Sequence, residues 1–177
     1  SGEVYASFLL NFNGTVAGGN YTFMGLLPSA GNGGTFNNVN DPCDLSSIGA
    51  TGGYKLGVRT LGQSATYTTS PVLALGTANL IVLKYDFANH RTSLFINPAL
   101  DGVEPATAAN VSTGTISASD LGQFYIRLGG VNQGNYLVDD VRIGTTWLDV
   151  VPVPEPSVFA LMGLGALGLA FLRRLHR

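Results

Sequence analysis

The chain has 177 residues, of which 45% are hydrophobic and only 11% charged, so it has room for one domain of ordinary size before its apolar end. Residues 1–155 contain six basic and eleven acidic side chains, and three arginines near the C-terminus bring the net charge to −2. A mildly acidic region without a basic cluster excludes nucleic acid as a partner.

The first two elements are predicted to be strands. Residues 4–12 alternate between a strongly apolar set, which includes Phe8 and Phe12, and a more polar set. Glycine and asparagine follow at 13–20, and residues 21–27 supply the next strand. This order predicts a β-hairpin.

Residues 28–53 are rich in glycine and asparagine and lack a sustained period, which predicts a long loop. Such a loop is either an insertion over one edge of the fold or a ligand-binding rim, and this one holds Asp41 and Asp44. Cys43 is the only cysteine, which excludes a disulfide within the chain. We expect it to be a buried thiol.

The clearest strand is predicted at residues 79–87, where an apolar run at 80–83 indicates a central position. A turn containing His90 joins it to a strand at 91–97, and 98–114 is predicted to be loop. Further strands are predicted at 54–60, 65–69, 72–75, 123–128 and 135–144, with a last short segment at 146–150. About nine to eleven short strands without a substantial helix predict an all-β fold, a two-layer antiparallel β-sandwich.

The end of the chain has the pattern of a membrane span. Residues 157–172 carry no charge, and a helix of that length would span roughly 24 Å, slightly less than a ~30 Å hydrocarbon core. Pro154 and Pro156 stop a helix from continuing backwards, and Arg173 and Arg174 would hold its far end in the cytoplasm. The pattern predicts a transmembrane helix, and a buried core helix is the alternative.

This tail also resembles the PEP-CTERM sorting signals of Gram-negative bacteria. The resemblance covers about the last 25 residues and depends on Pro154, Glu155 and Pro156, the apolar segment, and Arg173 with Arg174. It implies export, passage through the inner membrane, recognition by an exosortase and cleavage near the Pro-Glu-Pro sequence. Delivery to the cell envelope surface or to extracellular polysaccharide would follow, so the helix would be a removable address.

The patterns divide the chain into three parts: a β-sandwich domain at 1–150, a proline-rich linker with the sorting motif at 151–156, and a transmembrane helix with a basic tail at 157–177. The sequence begins at Ser1 with neither an initiating Met nor a signal peptide. Because such a tail requires export, we expect that upstream sequence has been removed.

A second resemblance covers roughly residues 1–150. The strand sequences at 54–59, 80–86, 93–98 and 136–143 resemble those of laminin-G and concanavalin A-like jelly-roll domains of bacterial surface proteins. This family implies two curved sheets, often with carbohydrate at the concave face or rim and sometimes with calcium. Neither activity follows from the fold alone.

Few residues are suited to catalysis. His90 lies in a predicted turn and His176 in the tail, which argues against a hydrolytic triad. The three glutamates, Glu3, Glu104 and Glu155, do not sit where a pair of glycosidase carboxylates would be expected. We therefore expect no enzyme activity and no catalytic cofactor.

Sugar binding would require exposed aromatic rings with nearby amides. The candidate ligand-binding residues are Tyr125, Asn132, Gln133 and Tyr136. The alternative is that each tyrosine belongs to the ordinary packing of the sandwich.

Adjacent carboxylates at Asp139 and Asp140 should point to opposite faces of a strand, so that one approaches the interior. A structural calcium ion would satisfy that carboxylate, and in the resembling family an Asp in the last strand often holds calcium. The alternative is an ion pair with Arg127 or Arg142.

Together these patterns predict an exported, non-catalytic β-sandwich at the envelope surface or in the extracellular matrix of a Gram-negative bacterium. Its partners would be the exosortase, the inner membrane transiently, and extracellular polysaccharide. Two alternatives stay open, a carbohydrate- or small-ligand-binding module and a polysaccharide-active enzyme.

Overall fold

The fold is built from short strands. The computed structural model describes residues 2–28, 41–60, 63–67, 69–114, 120–127 and 134–151. Within them lie nine strands and one helical turn. In chain order these are β1 (Glu3–Phe12), β2 (Tyr21–Leu27), β3 (Cys43–Ala50), β4 (Gly53–Thr60), β5 (Asn79–Asp86), β6 (Arg91–Ile96), β7 (Asn110–Thr113), β8 (Gln123–Ile126), β9 (Tyr136–Gly144) and α1 (Trp147–Val150).

The strands form two antiparallel sheets. One has the order β7-β6-β5-β1-β9 and the other β4-β3-β2-β8. This arrangement confirms the predicted two-layer sandwich, and β5 lies in the middle of its sheet as its apolar run predicted. The predicted hairpin of β1 and β2 is wrong, because the two strands belong to different sheets. The segment between them bonds to distant backbone, through Asn13 N to Asn135 O and Gly49 N to Ala17 O, and so crosses between the layers.

The core lies between the sheets and contains the apolar alternation of β1. Phe8, Leu10 and Phe12 are fully buried and meet apolar side chains from the four-stranded sheet. The Phe12 ring lies 5.5 Å from the Phe23 ring and 4.6 Å from the Tyr54 ring. Because large rings fill the space between the layers, each outward face is left to polar or separately covered residues.

A second apolar cluster covers part of the outward face of the five-stranded sheet. Trp147 of α1 packs edge-on against the Tyr5 ring at 6.1 Å and the Phe95 ring at 5.1 Å. Asp149 accepts hydrogen bonds from the backbone N–H groups of Thr145 and Thr146, which holds the turn closed. The segment predicted at 146–150 thus contains a helical turn, which covers part of this face.

The prediction of loop throughout residues 28–53 is wrong, because Cys43–Ala50 is a strand. Its sequence is rich in Ser, Gly and Ala, so the apolar period is faint. The strand forms because β2 and β4 pair with it on both sides, with Cys43 and Leu45 facing the core. Residues 29–40 lie outside the described residues.

The prediction of loop at 98–114 is also wrong in part, because Asn110–Thr113 is an edge strand. Its inward side chains are polar, which hides the strand pattern. Asn110 Oδ1 accepts from Val58 N at 3.1 Å, and Ser112 Oγ accepts from Thr60 N at 3.0 Å. These side chains join the two sheets at one end.

Strands were predicted at 65–69 and 72–75. The described residues there form only single β-bridges, Val58 with Thr66 and Tyr54 with Leu73. Pro71 has no N–H to donate, which interrupts any longer ladder there.

The predicted transmembrane helix at 157–177 lies outside the described residues. Among the residues that the structure does describe, no helix has both the length and the apolar character needed to cross a membrane.

Candidate functional site

The outward face of the four-stranded sheet carries a line of polar side chains from three strands. Strand register places Asp44 of β3 opposite Arg59 of β4, and places Gly25 of β2 between Asp44 and Tyr125 of β8. We call Arg59, Asp44 and Tyr125, together with Asp41 just before β3, the polar row.

Gly25 allows Tyr125 to reach across β2. A Cβ atom at Gly25 would lie only 2.8 Å from Cε1 of the Tyr125 ring, closer than side-chain atoms normally approach. The missing side chain therefore opens the path along which the tyrosine hydroxyl reaches Asp44.

Asp44 is fully buried, and both of its oxygens have partners. Arg59 donates to Oδ2 from Nε at 3.0 Å and from Nη2, while the Tyr125 hydroxyl donates to Oδ1 at 2.5 Å. Burial raises the pKa of Asp44 to about 6, against the lowering effect of Arg59 and of the hydrogen bond from Tyr125. The pKa of Tyr125 is raised well above its usual value by burial and by the charge of Asp44.

Asp41 is different, because its carboxylate has no partner among the described residues. It is 1% exposed, and neither carboxylate oxygen accepts a hydrogen bond from that part of the chain. Burial raises the pKa of Asp41 to about 7, the negative charge of Asp44 adds to this, and Arg59 opposes it. An acid with that pKa exchanges its proton near neutral pH, which is a property shared by general acids and by buried residues without a catalytic role.

Neighbouring side chains cover part of the same face. A Cβ atom at Gly57 would lie 2.7 Å from the Tyr67 ring, so this tyrosine rests directly on β4. The Tyr67 hydroxyl donates to Asn20, and Thr22 and Ser46 are joined at 2.8 Å between their hydroxyl oxygens. The outward face is therefore polar and largely closed around the polar row.

The predicted ligand-binding residues do not form one cluster among the described residues. Tyr125 belongs to the polar row, whereas the Tyr136 ring lies 5.3 Å from the Phe12 ring and its hydroxyl donates to Arg127 O at 2.7 Å. Tyr136 thus packs at the edge of the core. Asn132 and Gln133 lie outside the described residues, so sugar binding by this set stays a prediction.

Asp139 and Asp140 both lie exposed on β9, so the inward carboxylate that we expected is wrong. The pairing of β9 with β1 shifts register beside them, and Asp140 adopts a φ of 52°, which marks a β-bulge that breaks the alternation. Asp140 instead lies 3.3 Å from Arg142, and Asp139 accepts from the N–H of Asp140.

Two exposed carboxylates, one already paired, do not supply the six to eight oxygens that calcium takes. The described residues also contain no cluster of three acidic, histidine or cysteine side chains suited to a metal. The geometry at Asp139 and Asp140 fits an ion pair better than a calcium site, and calcium binding stays a prediction.

Cys43 is buried and His90 lies in a turn, as the sequence predicted. Cys43 is a free, buried thiol, and burial raises its pKa to about 12. His90 lies in the turn between β5 and β6 with a φ of 50°. A protonated thiol and a histidine in a turn do not form a nucleophile with its base.

Sequence reasoning did not select Asp41, Asp44 or Arg59 as site residues. The available signal was the pair of aspartates around Cys43 in a weakly apolar segment. The pairing of β3 with β4 brings Arg59 opposite Asp44. This pairing could not be predicted, because residues 28–53 were interpreted as a loop.

Comparison with known proteins decides the nature of the C-terminus. Residues 152–174 match the PEP-CTERM protein-sorting motif. The chain carries a PEP-CTERM sorting signal. The match contains Pro154, Glu155, Pro156, Arg173 and Arg174, as the resemblance implied. This PEP-CTERM chain is therefore an exported protein that is anchored in a membrane before an exosortase processes it.

No curated protein matches the sequence. Among solved structures, a Trypanosoma rangeli sialidase in complex with sialic acid aligns at 16% identity and a TM-score of 0.50, over 82% of this chain and 21% of the sialidase. An alginate lyase from Pseudomonas aeruginosa aligns at 9% identity and 0.49, over 82% and 65%. A SAP-like pentraxin from Limulus polyphemus aligns at 12% and 0.43, over 80% and 63%.

The chain spans about a fifth of the length of the sialidase that it matches. An identity of 16% concerns the fold alone, and the alignment with the sialidase agrees with the topology in giving a jelly-roll β-sandwich.

Proposed function

We propose that this chain is a non-catalytic β-sandwich displayed at the envelope surface, or released into the extracellular polysaccharide, of a Gram-negative bacterium. Its role there is structural or carbohydrate-associated. The observation that carries the proposal is the sorting motif at 152–174, because it directs the sandwich that precedes it.

The chemistry of the polar row supports a structural role. Both oxygens of Asp44 accept hydrogen bonds, from Arg59 and from Tyr125. Asp44 is inaccessible to solvent and Arg59 is 9% exposed, so the pair is not presented to a substrate in solution. These buried contacts join β3 to β4 and to β8 and do not require a ligand.

The test is localisation of a motif variant. The native protein and the triple variant P154A/E155A/P156A are expressed in an exosortase-containing host, and inner membrane, surface and medium fractions are probed with an antibody against the sandwich. We expect the native protein at the surface or in the medium and the variant in the inner membrane. Equal distribution of the two would contradict the proposal.

A second candidate function, action on polysaccharide, is favoured by one observation. Asp41 accepts no hydrogen bond from any described residue and has a pKa of about 7, properties that general acids share. Incubation with polysaccharide, followed by size analysis of the products, tests it. Chain shortening that is lost in D41N, with thermal melting showing that the variant folds, would support the enzyme, and absence of shortening would remove it.

The alternative of a ligand-binding rim at 28–53 concerns residues that are in part outside the described ones. It stays a prediction.

A further inference from the structure

A pocket lies on the outward face of the five-stranded sheet, on the side of the molecule opposite to the polar row. Its volume is about 290 Å³. The floor is formed by β5 and β6, and the wall is formed by the loop at 104–108. Small-molecule sites usually measure ~300–1,000 Å³, so the pocket fits a ligand of one or two sugar units.

Strand register explains why the floor changes from polar to apolar. Three cross-strand pairs face the same way, Asp86 with Arg91, Lys84 with Ser93, and Val82 with Phe95. Asp86 and Arg91 stand at one end of the floor, and Phe95, a buried member of the second apolar cluster, stands at the other. Most of the apolar surface open to a ligand therefore comes from Pro105, Ala106 and Ala108 of the wall. A ligand lying along this floor meets hydrogen-bonding groups at one end and carbon atoms at the other.

Hydrogen bonds hold the polar groups of the pocket in place. Lys84 Nζ lies 2.7 Å from Glu3 and 2.8 Å from Glu104, and the Tyr5 hydroxyl is within hydrogen-bond distance of both carboxylates. Asp86 accepts from the backbone N–H groups of the following turn at 2.9 and 3.1 Å. These acceptors and donors therefore keep their positions without a ligand, which lowers the entropic cost of binding.

The guanidinium of Arg91 can donate hydrogen bonds to a ligand. Its side chain is exposed, lines the pocket, and makes no ion pair or side-chain hydrogen bond with any described residue. The five charged side chains in and beside the pocket comprise two cations and three carboxylates. That balance offers both donors and acceptors but does not attract an anion.

We infer that this pocket binds a neutral sugar, as one or two units of a polysaccharide chain. Hydroxyl groups both donate and accept, so they match carboxylates beside a guanidinium, and the C–H face of a sugar ring matches the apolar side chains of the wall. A uronate or phosphate would place its charge beside Glu104 and Asp86. The inference rests on the proposed carbohydrate-associated role. It places sugar binding on the outward face of the five-stranded sheet, whereas the polar row lies on the four-stranded sheet.

The experiment is calorimetric titration of the full chain, held in micelles of a detergent without a sugar headgroup. Neutral di- and trisaccharides of glucose, galactose and mannose are compared with oligouronates of equal length. Two variants alter the pocket: R91A removes the free donor, and A106F fills the space beside the wall. R142A is the matched control, since it removes an exposed arginine from the same sheet away from the pocket.

We expect at least one neutral oligosaccharide to bind. R91A should weaken binding by about tenfold or more, as loss of a charge-assisted hydrogen bond predicts, and A106F should weaken it by a similar factor because the ring occupies the space of the sugar. R142A should bind like the native protein, and thermal melting should show that all variants fold. The inference is overturned if no neutral sugar binds, if only oligouronates bind, or if both pocket variants bind normally. Export measured by fractionation is independent of this result, so the two proposals can fail separately.

Discussion

Each sheet carries an acid, a cation and a tyrosine on its outward face, but the acid is fully buried in one group and partly exposed in the other. In the polar row Asp44 is fully buried with Arg59 and Tyr125, and burial raises its pKa to about 6. At the pocket Glu3 meets Lys84 and Tyr5 near solvent. Burial raises the pKa of Glu3, but the hydrogen bonds from Lys84 and Tyr5 and the charge of Lys84 together hold it below its usual value.

The two groups show that the contribution of an ion pair to the stability of the fold depends on how far its charges are removed from water. Removing one partner of a buried pair is severe, because it leaves the other charge buried without compensation. An ion pair near water contributes little to folding stability, so removing one of its partners costs little. This difference leads to four predictions.

The largest effect is expected for R59M, which keeps the aliphatic chain but leaves Asp44 buried without a counter-charge. We expect a loss of about 3–5 kcal/mol in the free energy of unfolding at pH 8, measured with denaturant. R142M, which breaks the exposed pair with Asp140, is the control and should lose less than about 1 kcal/mol. Adding D44N to R59M should recover part of the loss. Equal effects of R59M and R142M would refute a buried pair.

The next effect concerns the tyrosine hydroxyl. Y125F removes the donor to Asp44 Oδ1 and should lower the free energy of unfolding by about 1.5–3 kcal/mol, the range for bonds to charged groups. Y136F removes a hydroxyl that bonds an exposed carbonyl, and its loss should be about 1 kcal/mol or less. If Y136F proved the more damaging variant, the polar row would not be the buried network described above.

A smaller effect, of opposite sign, is expected at Asp41. Its folded pKa of about 7 lies above the unfolded value of about 3.8, so the native state binds more protons between these values. The free energy of unfolding should therefore fall as pH rises from about 4 to above 7. D41N should remove that part of the slope and be more stable than the native protein at pH 8, by on the order of 1–2 kcal/mol.

At pH 3 the carboxyl is protonated in both states, so D41N and the native protein should then have similar stability. A variant that is less stable at pH 8 would show that Asp41 has a partner.

The smallest effect is expected for K84M at the pocket. Lys84 is surrounded by Glu3 and Glu104, which are partly exposed, so its loss should cost about 1 kcal/mol or less and should shrink in high salt. The cost of R59M should change little with salt, because a buried pair is poorly screened. Similar salt dependence in the two variants would remove the distinction between the faces.

The sequence predicts those strands whose apolar period is strong. β1 alternates over residues 4–12 and β5 contains the apolar run at 80–83, and both lie where these patterns place them. β3 and β7 contain polar inward or weakly apolar residues, and they become strands only because neighbours pair with them. Their detection needs the tertiary structure.

The candidate site was harder to predict for the same reason. The polar row joins residues 41, 44, 59 and 125, which are brought together by strand register and by the missing side chain at Gly25. The bulge at Asp140 likewise comes from pairing with β1 and reverses an expectation drawn from simple alternation. The sorting motif is contiguous in sequence, and so it is readable without any fold.

The central claim is that the end of the chain is a removable sorting signal, and mass spectrometry of the protein recovered from the cell surface or medium tests it most directly. We predict a mature C-terminus near Pro154–156 and no peptide from residues 160–177. Recovery of the surface protein with Arg173 and Arg174 still attached would contradict the claim.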